Sequence, residues 1–359
     1  MSTTLLRRGI AILAVVATTL VFTTAALAQM PPSPWKKGAP FPEPDEELYG
    51  VTVGDKLYVI GGWGEGKARG ANYQYDPGAD KWTKKKSMPR PAHHGALATA
   101  NGKIYLCGGF VAPEKSPLPI GAAWQPVDDV WEYDPAADSW KALAPMPSKR
   151  GSPVAAAAGD KIYVIGGASL PPGSTDIAVS PTTPHSSVGT VEEYNPETNT
   201  WRERTPMPTP RNHAAIGVVN GKVYVIGGRV GAAFIGLASD TSVVEEYDPS
   251  TDKWSATRAR MPTTRSALGY AVINGRIYVA GGEFQDPHMM ATFRSVEAYD
   301  PASNTWSIMP PMPVSRHGLA AGAIGNKLIL VGGDVQSSGT GVEVSTSEVD
   351  SLVIPDTAH

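Results

Sequence analysis

The chain has 359 residues, a formal charge of −3 and a single cysteine, and both glycine (38 residues) and proline (33 residues) are frequent. A mildly acidic chain without basic runs argues against a nucleic-acid partner, and one cysteine cannot form a disulfide within the chain. Long stretches with the period of an amphipathic helix are missing, whereas short β-branched runs alternate with turn residues. This pattern predicts an all-β protein.

Residues 1–28 have the pattern of a secretory signal peptide. Arg7 and Arg8 precede an apolar run, and Ala-Leu-Ala at 26–28 provides small residues for cleavage. We expect a mature chain of 331 residues (359 − 28) that begins near Gln29 and is exported to the periplasm or beyond the cell. An uncleaved membrane anchor is the alternative, and the paired arginines leave Sec and twin-arginine export both open.

The rest of the chain contains six similar units. In each unit a tight-turn signal precedes a short apolar run that ends in two glycines, which is the chemistry of a two-residue hairpin followed by a strand. The glycine pairs are Gly61-Gly62, Gly108-Gly109, Gly166-Gly167, Gly227-Gly228, Gly281-Gly282 and Gly332-Gly333. Five units continue with Tyr-Asp-Pro or Tyr-Asn-Pro and, seven residues after the Tyr, a tryptophan: Trp82, Trp140, Trp201, Trp254 and Trp306. A strand of small residues precedes each turn, which suits a crowded position.

This combination resembles the kelch repeat, and the resemblance covers essentially all of residues 29–359. It implies four strands in each unit and a single domain with a six-bladed kelch-type β-propeller fold. The strands of small residues are then expected to lie nearest the axis of the propeller.

The ends of the chain predict how the ring closes. No Trp follows the last glycine pair, and Val349-Asp350-Ser351 is interpreted as the degenerate counterpart of Tyr-Asp-Pro. Trp35, by contrast, occurs near the start of the chain without a preceding unit. We therefore expect the Trp35 segment to form the fourth strand of the last blade, which would remove two open sheet edges.

Four units have an arginine shortly before their first strand: Arg150, Arg211, Arg265 and Arg316. Three of these units also have a glutamate two residues before the Tyr of the third strand: Glu192, Glu245 and Glu297. Their joint occurrence predicts a buried arginine–carboxylate pair inside each of these blades. Arg316 has Ser347 at the corresponding position, so we expect Arg316 to be available to a ligand.

In kelch-like propellers ligands generally contact the mouth of the central channel. The positions after the arginine and after the glycine pair, together with Arg316 itself, provide these candidate ligand-binding residues: Trp63, His94, Phe110, His213, Arg229, Glu283, Arg316 and His317. Aromatic rings beside hydrogen-bonding side chains suit a saccharide. The structural alternative is that many of these residues only cap strand ends. No metal or cofactor is predicted, and catalytic residues are left unassigned.

Two enzymatic alternatives follow from the resemblance. Copper-radical oxidases related to galactose oxidase need a Tyr–Cys crosslink, but Cys107 occupies an apolar strand position and is expected to be a buried core residue. A bacterial sialic-acid mutarotase is closer in size and compartment. For that activity, Glu283 or His213 would move a proton, and Arg229 or Arg316 would hold the carboxylate of the substrate.

Two long, proline-rich segments, 110–130 and 168–191, follow glycine pairs in neighbouring units. They are interpreted either as solvated insertions or as one wall beside the channel mouth, with Trp124 as an exposed aromatic contact. The sequence thus predicts an exported, monomeric binding module for a saccharide or an extracytoplasmic protein, without membrane contact after signal cleavage. A mutarotase-like sugar isomerase is the alternative.

Overall fold

The computed structural model describes residues 33–114, 123–234, 238–255, 257–286, 288–337 and 343–355. All strands lie in the compact unit formed by residues 34–359. Within the described ranges no helix has the length and apolar character needed to cross a membrane. The predicted signal peptide lies outside the described residues.

The strands form six four-stranded antiparallel sheets, numbered here as blades 1 to 6 in chain order. Blade 1 consists of Glu46–Val53, Lys56–Gly64, Lys67–Asp76 and Lys81–Lys84. Blade 2 consists of Ala96–Ala100, Lys103–Cys107, Val130–Asp134 and Ser139–Ala142. Blade 3 consists of Val154–Ala158, Lys161–Ile165, Val191–Asn195 and Thr200–Arg204. Blade 4 consists of Ala215–Val219, Lys222–Ile226, Val244–Asp248 and Lys253–Trp254. Blade 5 consists of Gly269–Ile273, Arg276–Ala280, Val296–Asp300 and Thr305–Ile308. Blade 6 consists of Ala320–Ile324, Lys327–Val331, Val349–Val353 and the N-terminal strand Trp35–Lys37.

The first strand of every blade lies beside a central channel and contacts the first strands of both neighbouring blades. This arrangement confirms the predicted six-bladed β-propeller and the inner position of the small-residue strands. Among the residues that the structure describes, four two-stranded ribbons extend from the connections between second and third strands. They pair Phe110–Val111 with Gln125–Pro126, Ala168–Ser169 with Ser186–Ser187, Arg229–Val230 with Ser239–Asp240, and Glu283–Gln285 with Met290–Thr292.

The two ends of the chain share blade 6, as the sequence predicts. Trp35 pairs with Leu352 in an antiparallel register, so the N-terminal strand is the outermost strand of the blade. The Trp35 side chain is buried, and its indole Nε1–H donates to the carbonyl oxygen of Pro310 at 3.3 Å. Hydrogen bonds between the first and last strands therefore close the ring.

The Tyr and Trp of each repeat join neighbouring blades. In blade 3 the Tyr194 and Trp201 rings pack with centroids 4.9 Å apart, and the Tyr194 hydroxyl donates to Asn199 Oδ1 at 2.7 Å. Asn199 Oδ1 also accepts the backbone N–H of Ala144 in blade 2 at 2.8 Å, and the Trp201 indole donates to the Ala144 carbonyl at 2.8 Å. The same contacts recur in blades 1, 2, 4 and 5, which explains the strict spacing of the motif.

The predicted arginine–carboxylate pairs are confirmed in blades 3, 4 and 5. They are Arg150–Glu192 (2.7 Å), Arg211–Glu245 (2.5 Å) and Arg265–Glu297 (2.6 Å). Each guanidinium also donates to backbone carbonyls in or just after the second strand of its own blade, so the side chains are held entirely within the core. The carbonyl of each arginine accepts the N–H of the second glycine of the preceding blade, for example Gly167 N–H to Arg211 at 2.9 Å.

The expectation that Arg316 is available to a ligand is wrong. Arg316 Nη2 lies 2.6 Å from Asp350 Oδ2, and both side chains are fully buried inside blade 6. Leu328 pairs with Leu352 in the register in which Ile277 pairs with Tyr299 of blade 5. Leu352 therefore takes the place of the Tyr, three residues later than the sequence interpretation put it, and Asp350 takes the place of the glutamate.

The hydrophobic core is divided among the interfaces between successive blades. Cys107, for example, packs with Ala96, Ile162 and Tyr194 between blades 2 and 3. Its side chain is fully buried, and burial raises the pKa of the thiol to about 12. The interpretation of Cys107 as a core residue is confirmed.

Candidate functional site

Six residues, one from each blade, form a ring around the axis at or just before the start of the first strands. The members of this axial ring are Glu47, His94, Ser152, His213, Ala267 and Gly318, and each has a positive φ between 51° and 58°. The left-handed backbone lets successive members hydrogen-bond to one another, as in Ser152 N–H to the His94 carbonyl (2.7 Å) and His213 N–H to the Ser152 carbonyl (3.2 Å). The ring thus positions five side chains and one glycine at one end of the channel.

A second layer of side chains surrounds this ring. In every blade the residue before the ring member pairs with the residue after the glycine pair of the same blade. The pairs are Glu46–Trp63, His93–Phe110, Gly151–Ala168, Asn212–Arg229, Ser266–Glu283 and His317–Asp334. The axial ring and these pairs together form the axial mouth.

On one side of the mouth, two histidines and a carboxylate form a chain of contacts. His94 Nε2 lies 3.2 Å from Glu47 Oε2, and His94 Nδ1 lies 2.5 Å from His93 Nδ1. Burial raises the pKa of Glu47, but His94, together with His317 and Arg229, acts in the opposite direction and holds it at about 2. Burial also lowers the pKa of His93 well below its usual range, so His93 is neutral. Glu47 is therefore a charged hydrogen-bond acceptor on the axis.

His213 lies across the ring from Glu47. Its Nδ1 contacts Asn212 Oδ1, and its Nε2 lies 3.2 Å from Ser152 Oγ. Because an amide oxygen only accepts, His213 Nδ1 carries the hydrogen and Nε2 has the lone pair. Burial lowers the pKa of His213 well below its usual range, and Arg229 acts in the same direction. His213 is a neutral base that faces the axis.

The other side of the mouth contains a charged network. His317 Nε2 lies 3.1 Å from Glu46 Oε2 and 3.7 Å from Glu283 Oε2. Arg229 Nη2 donates to Glu283 Oε1 at 2.8 Å, and Ser337 Oγ donates to Glu283 Oε2 at 2.9 Å. Burial lowers the pKa of His317, but Glu283 and Glu46 raise it to about 10. His317 is consequently held as a cation by carboxylates of blades 1 and 5, and Arg229 forms an ion pair with the blade 5 carboxylate.

Aromatic rings cover the histidine side of the mouth. The Trp124 ring lies over His94, with centroids 5.1 Å apart, and contacts Phe234 at 4.2 Å. Trp63 contacts His93 at 4.6 Å, and its indole N–H donates to Glu343 Oε1 at 2.6 Å. Trp63, Trp124 and Phe234 are all half-buried, so each keeps a part of its surface open to a ligand.

The long segments of blades 2 and 3 meet at this cover. Trp124 and Val179 exchange two backbone hydrogen bonds, of 2.9 and 2.8 Å. Residues 123–130 and 168–191 therefore form one wall beside the mouth, while residues 115–122 lie outside the described ranges. Trp124 is part of the cover over the histidines and is less exposed than the sequence interpretation expected.

A small cavity of about 50 Å³ lies directly beneath the axial ring. Glu47, His94, Ser152 and His213 line its upper part, and Tyr49 and Tyr270 line its lower part. Beyond Tyr270 the channel widens to a cavity of about 290 Å³ with mostly alanine, glycine and valine walls. Burial and the nearby Glu47 raise the pKa of Tyr49 well above its usual value. Polar and charged groups are thus concentrated at one end of the channel.

Six of the eight sequence-predicted site residues line the axial mouth in the structure. Trp63, His94, His213, Arg229, Glu283 and His317 line it, whereas Phe110 is fully buried below Trp124 and His93. Arg316 lies inside blade 6, as described above. The sequence interpretation did not select Glu46 and Glu47, although they occupy the same repeat positions as His93 and His94. The sequence interpretation also missed Phe234, Tyr49 and Tyr270, because the repeat pattern does not predict that their positions face the channel.

Two groups of described residues have the composition of metal ligands. One group is Glu47, His94 and His213, and the other is Glu46, Glu47 and His317. Within each group the ligand atoms lie within 4.8 Å of one another, and all these residues are buried.

Comparison with known proteins gives consistent matches to one family. The profile of the KLHDC2/KLHL20/DRC7 Kelch-repeats domain matches residues 18–167 and 182–333, and the Kelch motif matches residues 149–208. The chain is 30% identical over 305 residues to "Kelch-like protein terF" of Aspergillus terreus, which covers 83% of this chain and 62% of that protein. It is 29% identical over 283 residues to "Kelch-like protein 23" of Homo sapiens, which covers 78% of this chain and 44% of that protein. The chain thus spans less than two thirds of the length of these relatives.

Among solved structures, the one described as "Structure of YjhT" superposes with a TM-score of 0.70 at 18% identity. The superposition covers 89% of this chain and 97% of that chain. At this identity the likeness concerns the fold.

Proposed function

Because the chain belongs to the Kelch-repeat family, we propose that it is an exported binding module that recognises a neutral saccharide at the axial mouth. Its place of action would be the periplasm or the space beyond the cell, in keeping with the signal-peptide pattern of residues 1–28. The proposal rests on one observation: half-buried tryptophans lie beside many hydrogen-bonding side chains at one end of the channel.

The aromatic cover supplies the apolar contacts that a sugar ring requires. Trp63 and Trp124 lie 6.2 Å apart between ring centroids at an angle of 62°, and they frame the entrance above His93 and His94. The C–H face of a pyranose packs on such a ring, while its hydroxyl groups bind polar side chains. The cavity beneath the ring, about 50 Å³, has room for a hydroxyl or hydroxymethyl group that projects downwards.

The charges of the mouth favour a neutral sugar over an acidic one. The carboxylates at or beside the mouth are those of Glu46, Glu47, Asp240, Glu283 and Asp334. Among the described residues of the mouth, Arg229 and His317 oppose them, and both contact Glu283. An acidic sugar would need a cation that is not already engaged with a protein carboxylate. Neutral hydroxyl groups can instead donate to the carboxylates that are present.

A thermal-shift screen tests this proposal. The probes are D-glucose, D-galactose, D-mannose, N-acetylglucosamine and, as the acidic comparison, N-acetylneuraminic acid. At least one neutral sugar should raise the melting temperature, because a ligand that binds only the folded state stabilises it. A shift produced by N-acetylneuraminic acid alone would contradict the neutral-sugar assignment. An unchanged melting temperature with every sugar would instead favour a protein partner at this mouth.

A mutarotase-like sugar isomerase is the second candidate, and the contacts of His317 favour it. Its Nε2 lies between the carboxylates of Glu46 and Glu283, which places potential proton donors and acceptors together at the axis. NMR exchange measurements on a sugar that binds would separate the two functions. An isomerase should accelerate anomer exchange, and the substitution Glu283→Gln should abolish this effect. A pure binding module should leave the exchange rate unchanged.

A further inference from the structure

We propose that the axial ring is a divalent metal site in which Glu47, His94 and His213 bind one ion of the zinc class. Nitrogen from imidazole together with carboxylate oxygen is a donor set that suits Zn²⁺ and its first-row neighbours. The proposal does not depend on the saccharide, because the three side chains converge whether or not a sugar occupies the mouth.

The backbone of the axial ring directs these three side chains to one point. Glu47, His94 and His213 have φ values of 52°, 56° and 51°, and their ligand atoms lie within 4.8 Å of one another. All three line the cavity beneath the ring and are buried. Zinc–ligand distances of about 2.0–2.2 Å can be reached from this arrangement by small side-chain rotations around a central ion.

Neighbouring residues give both histidines the orientation of metal ligands. Asn212 Oδ1 accepts from His213 Nδ1–H, which leaves the lone pair on Nε2, 3.2 Å from Ser152 Oγ of the axial ring. His93 Nδ1, at 2.5 Å, is positioned to accept from His94 Nδ1–H when His94 Nε2 binds a metal. Hydrogen bonds of this kind, from the second imidazole nitrogen to a fixed acceptor, accompany most metal-bound histidines because they fix the tautomer and ring orientation.

The charge balance of the mouth also favours a cation. Three buried carboxylates, those of Glu46, Glu47 and Glu283, lie within the connected network around the axis. Arg229 contributes one positive charge there, and His317 contributes at most one more. When His94 is neutral, as a metal-bound imidazole is, at least one negative charge is left over with all three carboxylates ionised. Buried charges without compensation are costly, and a divalent ion beside Glu47 would supply the compensation.

The other group, Glu46, Glu47 and His317, is the weaker candidate. His317 Nε2 already faces two carboxylates, at 3.1 and 3.7 Å, so this nitrogen is positioned as a hydrogen-bond donor. The group then offers carboxylate oxygens without an imidazole lone pair at the axis. The first group, in contrast, combines two imidazoles with one carboxylate and leaves a coordination position open towards the cavity, as in catalytic zinc sites.

Isothermal titration of tag-free, EDTA-treated protein with ZnCl₂ tests the proposal. We expect one Zn²⁺ per chain and a higher melting temperature in its presence. His94→Ala and His213→Ala should each weaken zinc binding by more than about tenfold, and Asn212→Ala should weaken it by about 10- to 100-fold. Ala267 occupies the same left-handed ring position, so an alanine is compatible with this backbone.

His288→Ala is the matched control, because this histidine is exposed on blade 5 outside the mouth, and its loss should leave zinc affinity unchanged. As a second readout, Co²⁺ should give visible absorption bands in the parent protein and lose them in His94→Ala. No heat with up to millimolar zinc would overturn the proposal. Zinc binding that survives in the His94→Ala/His213→Ala double variant would overturn it equally, since the ion would then lie elsewhere.

Discussion

Arg316 and Asp350 form a salt bridge, with 2.6 Å between Nη2 and Oδ2, in which neither side chain has any exposed surface. The pair takes the place of the arginine–glutamate pairs of blades 3, 4 and 5, with a shorter carboxylate. In blade 1 Asp45 occupies the arginine position, and Tyr73 occupies the glutamate position. The partner of Asp45 is Arg69, which lies 3.4 Å from it, comes from another position of the third strand and is a quarter exposed. A buried ion pair at this position is therefore a shared feature of blades 3 to 6.

We predict that Arg316→Met destabilises the protein by about 3–5 kcal/mol, because the substitution leaves the Asp350 carboxylate buried without its cation. The double variant Arg316→Met/Asp350→Leu should regain most of this loss, since it removes both charges. Arg90→Met is the control. Its ion pair with Asp129 (2.9 Å) is largely exposed and should contribute at most about 1 kcal/mol. Urea unfolding followed by tryptophan fluorescence measures these differences, and equal losses for Arg316→Met and Arg90→Met would refute the prediction.

The degenerate last blade shows where sequence reasoning was reliable and where it was not. Five Tyr and Trp positions fix the register of their blades because each side chain makes two specific contacts with its neighbours. Blade 6 has Leu352 at the Tyr position, so its pattern contains no such anchor, and the interpretation of Arg316 was wrong for this reason.

The axial mouth could be predicted only in part. The repeat pattern shows which residues lie at the start of the first strand of each blade. His94, His213 and His317 were predicted to line the mouth on this basis. Which side chains of different blades contact one another depends on the angles between the blades. The ion pair between Arg229 of blade 4 and Glu283 of blade 5 therefore could not be predicted from the spacing of the repeats. Trp124 and Phe234 lie in connections whose length differs from blade to blade. The repeat pattern therefore does not predict that these two rings contact each other.

Because the N-terminal strand closes the ring, we predict that a substitution of Trp35 strongly destabilises the protein. Its side chain packs with Met312, Leu352 and Ile354, so Trp35→Ala should lower the free energy of unfolding by about 3–5 kcal/mol. Lys36→Ala, on the exposed side of the same strand, should change it by less than about 0.5 kcal/mol. Denaturant unfolding of both variants measures the difference. A Trp35→Ala protein as stable as the parent would show that the strand is not part of the cooperative fold.

We predict that ionisation of the buried Asp240 carboxyl lowers the free energy of unfolding as the pH rises. Burial raises the pKa of Asp240 to about 6, although Arg229 acts in the opposite direction, whereas the ordinary value is 3.8. The folded state therefore holds the proton more strongly than the unfolded state, and this contribution to stability is lost as the pH rises from about 4 through about 6.

Asp240→Asn removes the ionisation but keeps an oxygen to accept Gln285 N–H, which lies 2.7 Å from Asp240 Oδ2. The stability of this variant relative to the parent should increase between pH 4 and pH 7, by roughly 2–3 kcal/mol. Asp176→Asn, at an exposed site, should show no such change. A difference between Asp240→Asn and the parent that is independent of pH would contradict the prediction.

Calorimetric titration of a neutral sugar into the parent protein and into Trp124→Ala is the most direct test of the axial mouth as a saccharide site. The sugar is the one that produces the largest thermal shift, and Trp254→Ala, at the outer edge of blade 4, is the control for loss of a tryptophan elsewhere. We predict that Trp124→Ala weakens binding at least about fivefold, in keeping with about 1 kcal/mol for a lost aromatic contact, while Trp254→Ala binds like the parent. Equal affinity for Trp124→Ala and the parent would contradict the account.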